Sequence, residues 1–160
     1  MDKNEAVIQY LITCPKIQNS PLYFNFISAK DNHTQIITSA NDKSMNRRYI
    51  DGSILRLYTF SIIEFKSIAY NPIVKLDGYS DENVEDMYDA QGLVDWIEEQ
   101  NNLRNFPNFG EHCVVEEIRT TTDNPVLDAI DASAQPALAQ YSLTIEIQYL
   151  DKSKMIWQNE

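Results

Sequence analysis

Hydrophobic and polar positions alternate from Leu138 to Leu150. Tyr141, Leu143, Ile145, Ile147 and Tyr149 share one face, and Gln140, Ser142, Thr144, Glu146 and Gln148 share the other. A period of two over this length predicts a half-buried β-strand. A second segment, Ile54 to Tyr70, contains neither Gly nor Pro and is dense in β-branched and aromatic residues, which predicts an unusually long strand. Fully extended it spans roughly 55 Å at about 3.3 Å per residue, whereas common strands run to about five or six residues. A strand that outreaches a private core implies a surface for another subunit. Residues near one end of 54–70 are then expected to be exposed in the isolated chain and covered in an assembly.

Helical spacing occurs twice. Val7, Ile8, Leu11 and Ile12 form an apolar stripe that Pro15 ends, and Asp2 and Glu5 have the spacing of a capping box. Residues 81–103 form the main predicted helix, capped by Ser80 or Asp81. Asp81, Glu82, Glu85 and Asp86 crowd its first turns, where the helix dipole favours negative charge. Val84, Met87, Tyr88, Val94 and Ile97 mark its buried stripe, with Leu93 and Trp96 beside it, and Gly92 is expected to let the helix approach a sheet.

The remaining segments follow from turn chemistry. Leu22–Ala29 and Gln35–Ala40 flank a polar stretch at 30–33, which predicts a hairpin and puts His33 in an exposed turn. Residues 41–48 read as a loop, and Asp51-Gly52-Ser53 as the turn into the long strand. Cys113–Arg119 reads as a strand after a loop at 105–110. Thr120–Pro136 reads as a long flexible connection with a weak helical signal near 126–130. At 160 residues, without repeats or an internal linker, the chain is expected to form one domain.

Charge narrows the picture. The net charge of −11 argues against a general nucleic-acid binder, which needs a basic footprint. It leaves room for a protein that DNA passes without sticking. Residues 30–75 hold seven basic and four acidic residues, a net of +3; residues 76–160 hold four basic and eighteen acidic, a net of −14. A solvated acidic surface accounts for this split. The sharper alternative is two complementary patches that meet head to tail between identical subunits, a contact that closes into a ring when the rotation permits. Cys14 and Cys113 are expected to be buried reduced thiols. Asp2, Lys3, Asn4 and Glu5 interrupt any apolar leader, and no run reaches membrane-spanning length, so synthesis in a reducing cytoplasm without a membrane partner is expected.

The search for chemistry finds little. Phosphate loops, paired cysteine motifs and nucleophile elbows are absent from the sequence. His112 and Glu116 distantly echo an acetyltransferase signature, but four residues along a strand separates them by roughly 13 Å. Asp86 with Asp89 and Asp95 with Glu99 share helix faces by spacing, which a solvated acidic face explains. Asp128 and Asp131 lack the ligand spacing of a calcium loop. Catalytic residues, cofactor and metal are therefore all expected to be absent. The aromatics Tyr58, Tyr70, Phe106, Phe109 and Trp157 fit either the core or an interface, where such residues are enriched.

The order of elements then carries a resemblance. A helix, a hairpin, the Asp51-Gly52-Ser53 turn, a long strand, an acidic helix containing Leu93-Val94-Asp95-Trp96-Ile97-Glu98-Glu99-Gln100 and two C-terminal strands resemble the tail terminator (tail completion) proteins of long-tailed bacteriophages of Gram-positive hosts. Tyr49–Phe65, Gln91–Thr120 and Ala137–Asp151 carry it most clearly. It implies an α/β (α+β) domain with a mixed, mostly antiparallel sheet and helices packed on one face. It also implies a hexameric ring in the virion, at the head–tail junction, that caps the tail tube, stops its polymerisation and docks the head connector. The expected partners are other copies of the chain, the major tail tube protein and the head connector protein, with DNA passing through unbound. No reaction or cofactor is implied. Asp123, Asp128 and Asp131 are the candidate channel- or tail-facing residues; Arg56, Tyr58, Tyr70, Phe106 and Phe109 are the candidate subunit-interface residues. The alternatives are a neighbouring connector component (a stopper or head-completion protein), a small soluble enzyme that depends on His112, and an unrelated binding module.

Overall fold

A computed structural model describes residues 2–18, 21–25, 33–39, 46–68 and 82–156, with side chains of the second helix from residue 90 onward. The elements are α1 (Lys3–Leu11), β1 (Leu22–Phe24), β2 (His33–Thr38), β3 (Arg47–Arg48), β4 (Ile54–Ser67), α2 (Glu82–Leu103), β5 (Cys113–Thr120), β6 (Val126–Asp131) and β7 (Leu138–Asp151).

The two long alternating segments find each other. β4 and β7, fourteen residues each, pair antiparallel along their whole length, from Ile54 opposite Asp151 to Ser67 opposite Leu138. Residues directly opposite in such a pair project to the same face. Tyr58, Phe60 and Ile62 therefore join Ile147, Ile145 and Leu143 on one face, while Thr59, Ser61 and Ile63 join Glu146, Thr144 and Ser142 on the other. Period-two patterning thus decides which face takes the core.

This ribbon is the spine of an α+β fold whose mixed, mostly antiparallel sheet has seven strands among the described residues. The path runs β1-β2-β4-β7-β5. β2 and β3 lie in line along the outer edge of β4, opposite residues 60–65 and 54–55. β5 and β6 lie in line along the outer edge of β7, opposite residues 145–151 and 138–142.

Both helices cover one face. Ala6, Val7, Tyr10 and Leu11 of α1 and Leu93, Val94 and Ile97 of α2 share a single core with Ile36, Phe60, Ile62, Ile118, Leu143, Ile145 and Ile147 of the sheet. Burying each large side chain stabilises the fold by about 1.5–3 kcal/mol. α2 ends where Arg104 turns to a positive φ of 53°, its N–H donating to Asn101 O at 3.1 Å and that of Asn105 to Gln100 O at 3.0 Å. This bond pair satisfies carbonyls of the last turn. The Asn101 side chain then accepts the Ile118 N–H at 3.0 Å, beside a bulge between Val115 and Glu117, and so ties the helix end to β5.

Several expectations need correction. Residues 22–40 do not form a hairpin, because β1 and β2 pair parallel, Leu22 opposite Thr34 and Phe24 opposite Ile36. Turn-rich sequence between two strands fixes neither their direction nor their partners. His33 opens β2 instead of occupying an exposed turn, with its ring 5.1 Å from that of Tyr23. The 41–48 loop contains β3. The 120–136 connection contains β6, a strand where a weak helical signal was expected, since β5 leaves the first half of β7 without a neighbour on that side. Backbone pairing there overrides local propensity. Asp2 precedes α1 without a side-chain cap, its carboxylate taking the Asn4 amide at 2.9 Å instead. Gly92 lies under the Lys16 side chain: a Cβ there would meet Lys16 Cε at 2.7 Å. Finally, β4 does not outrun its core alone. β7 accompanies it throughout, and Ile54 and Phe65 near its two ends are only 7% and 6% exposed. The surplus expected at one end is not found in 54–68; residues 69–70 lie outside the described residues.

Candidate assembly surfaces

Of the residues proposed from sequence as a subunit boundary, Phe109 is buried and Arg56, Tyr58 and Phe106 are half-buried. Phe109 is 5% exposed, edge-on to Tyr149 with ring centroids 5.2 Å apart and to Tyr58 at 5.7 Å. Gly110, at φ +99°, turns the chain out of this anchor, and Phe106 packs half-buried on the same core. The Tyr58 hydroxyl donates to the Asn4 side chain. Burial, aided by the Asp2 charge, pushes the Tyr58 phenol up to about 12. Lys3 Nζ sits 5.3 Å over the Tyr149 ring, a cation–π contact. Phe109 is therefore core filling rather than a surface anchor, and Tyr58 joins α1 to the sheet. Tyr70 and Trp157 lie outside the described residues.

Arg56 is engaged at home as well. Its Nε donates to Asp151 Oδ2 at 2.9 Å. Burial pushes the Asp151 carboxyl up, but bonds from the Ser153 hydroxyl and N–H, with Arg56 and its charge, outweigh this and leave it below the usual range.

The three candidate acids are all exposed along and beside β6. The carbonyl of Asp123 accepts from the Gln91 side chain at 3.3 Å. Asp131 accepts from the Ser133 hydroxyl at 2.6 Å and its N–H at 2.9 Å, which hold its carboxyl low. Asp128 projects from the bulged part of β6, between Leu127 and Ala129, which pair with Tyr141 and Gln140.

What sequence reasoning missed lies around these acids and at the opposite edge. All six residues of β6 are exposed, including Val126 at 45%, Leu127 at 49% and Ile130 at 55%. Among the described residues no strand pairs with the outer edge of β6. On the other side, β3 exposes Arg47 and Arg48 and leads into Tyr49, 46% exposed, and the fully exposed Ile50. The available signal was the mixture of apolar and charged residues in stretches read as loops.

The chemistry-bearing groups do not converge. His112 is exposed, its carbonyl accepting the Lys152 N–H at 2.7 Å, while Glu116 accepts weakly from Gln148 at 3.4 Å. Cys14 is buried and Cys113 half-buried, both unbridged, with thiols pushed up by burial. Among the described residues no three His, Cys, Asp or Glu side chains cluster as a metal site, and no helix is long and apolar enough to cross a membrane. A shallow cleft between α2 and β7, lined by Ile62, Leu93, Pro125 and Leu143, is mainly apolar. Compared with family models, with curated proteins and with solved structures, the chain finds no match in any of the three.

Proposed function

We propose that this chain is a structural subunit of a phage virion: a tail terminator that assembles into a ring on the end of the tail tube, stops its growth and joins it to the head connector. The observation that carries the assembly part of this reading is the outer edge of β6, which no strand pairs among the described residues, with Val126, Leu127 and Ile130 exposed beside it. An unpaired strand edge is a template for another chain, and the bulge and the charges of Asp128 and Asp131 restrict which chain this edge accepts. The choice of family rests on the sequence resemblance carried by 49–65, 91–120 and 137–151.

The acidic balance suits the same role. The exposed carboxylate of Asp123, the candidate acid that the subunit contact argued below leaves free, repels phosphates, so a channel that it lines lets DNA slide where a basic groove would hold it. No chemical step is assigned to the subunit. The partners are further copies of itself, the tube protein below and the connector above.

The test is deletion of the gene in its phage. Tails of uncontrolled length that fail to join heads are the expected result. Tails of normal length that lack heads would move the chain to a neighbouring connector role. Normal virions would remove it from the junction.

A further inference from the structure

We infer that β6 of one copy pairs with the outer edge of β3 of the next, beside Tyr49 and the turn residue Ile50, so that the sheet continues across the subunit boundary. This rests on the ring-forming reading and names the contact that builds the ring. The two surfaces share a character and differ in sign. β6 presents Val126, Leu127 and Ile130 with Asp128 and Asp131; β3 and its continuation present Tyr49 and Ile50 with Arg47 and Arg48. Among the described residues neither arginine has an ion-pair partner. Asp131 keeps one carboxylate oxygen, Oδ2, clear of its bonds to Ser133.

Strand direction permits the union. β3 runs antiparallel to β4, β7 antiparallel to β4, and β6 antiparallel to β7. β3 and β6 therefore point in opposite directions. Copies that follow one another without flipping bring them together antiparallel, with main-chain bonds supplying affinity and the flanking side chains supplying register. The contact is heterologous, since different surfaces meet, as a ring requires. It is also staggered. β3 lies opposite residues 54–55 of β4, whereas β6 lies opposite 138–142, which face 63–67 of β4. The offset of roughly 35 Å at about 3.3 Å per residue inclines the strands to the ring axis, as closure of a sheet demands.

The experiment is a charge swap read by sedimentation velocity on the full chain, at low and at raised salt. Asp128→Lys with Asp131→Lys forms one variant, and Arg47→Glu with Arg48→Glu the other; melting curves confirm that each folds. Each variant alone is expected to lose the wild-type oligomer, and an equimolar mixture to regain it, because both contacts are complementary again in alternating copies. Salt is expected to weaken the wild-type oligomer. Should the Asp131 change disturb the 131–133 turn, Asp128→Lys mixed with Arg47→Glu carries the same test. Variants that assemble like wild type overturn this pairing and leave the ring reading standing. Variants that dissociate but are not rescued by mixing also overturn it. A wild-type chain that stays monomeric both alone and with the tail tube protein is a separate failure, which removes the ring reading and the pairing with it.

Discussion

Arg56 and Asp151 lock the start of β4 to the end of β7, with Nε 2.9 Å from Oδ2, although the two residues stand diagonally in the ladder: Arg56 faces Tyr149, and Asp151 faces Ile54. The pair is partly shielded, its side chains 30% and 17% exposed. Replacing either residue by Ala is expected to cost about 1 kcal/mol, near the upper end for a solvent-screened pair. The double variant should cost less than the sum of the singles. Because the folded Asp151 carboxyl titrates below its unfolded value, its contribution is present above the unfolded pKa and is lost as pH falls through the folded one. Urea melts of Asp151→Asn against wild type down the acid range check this: the two curves should converge at the acid end.

Phe109 shows how a loop aromatic can mislead. Phe109→Ala is expected to lower the stability of the isolated subunit by about 3 kcal/mol, since it empties a site against Tyr58 and Tyr149. Phe106→Ala, at a half-buried position, should cost less. Denaturant midpoints of the two variants decide. A Phe109→Ala chain as stable as wild type would return this residue to the surface.

Alkaline pH probes the Tyr58 environment. Its phenol is held at about 12 instead of 10.0, and burial also raises those of Tyr10 and Tyr149. A raised folded value means stability that is complete below the unfolded pKa and lost as pH rises through the folded one. The fold is therefore expected to weaken between about pH 10 and 12, and Tyr58→Phe should flatten part of that slope. Ultraviolet titration of the tyrosines beside thermal melts makes the comparison.

Gly52 joins the turn before β4 to the segment after β7. Its φ is +88°, and a Cβ there would stand 2.3 Å from the Lys154 carbonyl oxygen. The Ile156 N–H donates to Asp51 O at 2.9 Å across the same junction. Gly52→Ala is expected to cost about 2 kcal/mol from backbone strain and displacement together. Hydrogen exchange at Ile156 should quicken in this variant before the β4–β7 ladder is affected.

Much of the fold was legible where burial imposes a period. β7 alternates from Gln140 to Tyr149, so its core face could be read directly, and the start of β4 followed from the turn before it, whereas β4 stops at Ser67, short of the expected end. The missed features are those fixed by partners distant in sequence. The parallel pairing of Leu22–Phe24 with 34–36 leaves no local trace, and the intervening turn residues suggested the wrong direction. β6 has no buried face to impose alternation and is a strand only because β7 offers it an edge. The assembly surfaces were half legible. Asp128 and Asp131 stood out by charge, but their apolar neighbours Leu127 and Ile130 looked like loop. Arg56, Tyr58 and Phe109 suggested an interface through residue type, and each makes contacts within the subunit.

The central claim is that this chain works as a ring. The most direct measurement is the mass of the wild-type particle by native mass spectrometry, with negative-stain images of the same sample, first alone and then with the tail tube protein. A closed oligomer, six copies by the family resemblance, with a central hole and a seat on the tube end, is the expected result. A strict monomer under both conditions would contradict the claim.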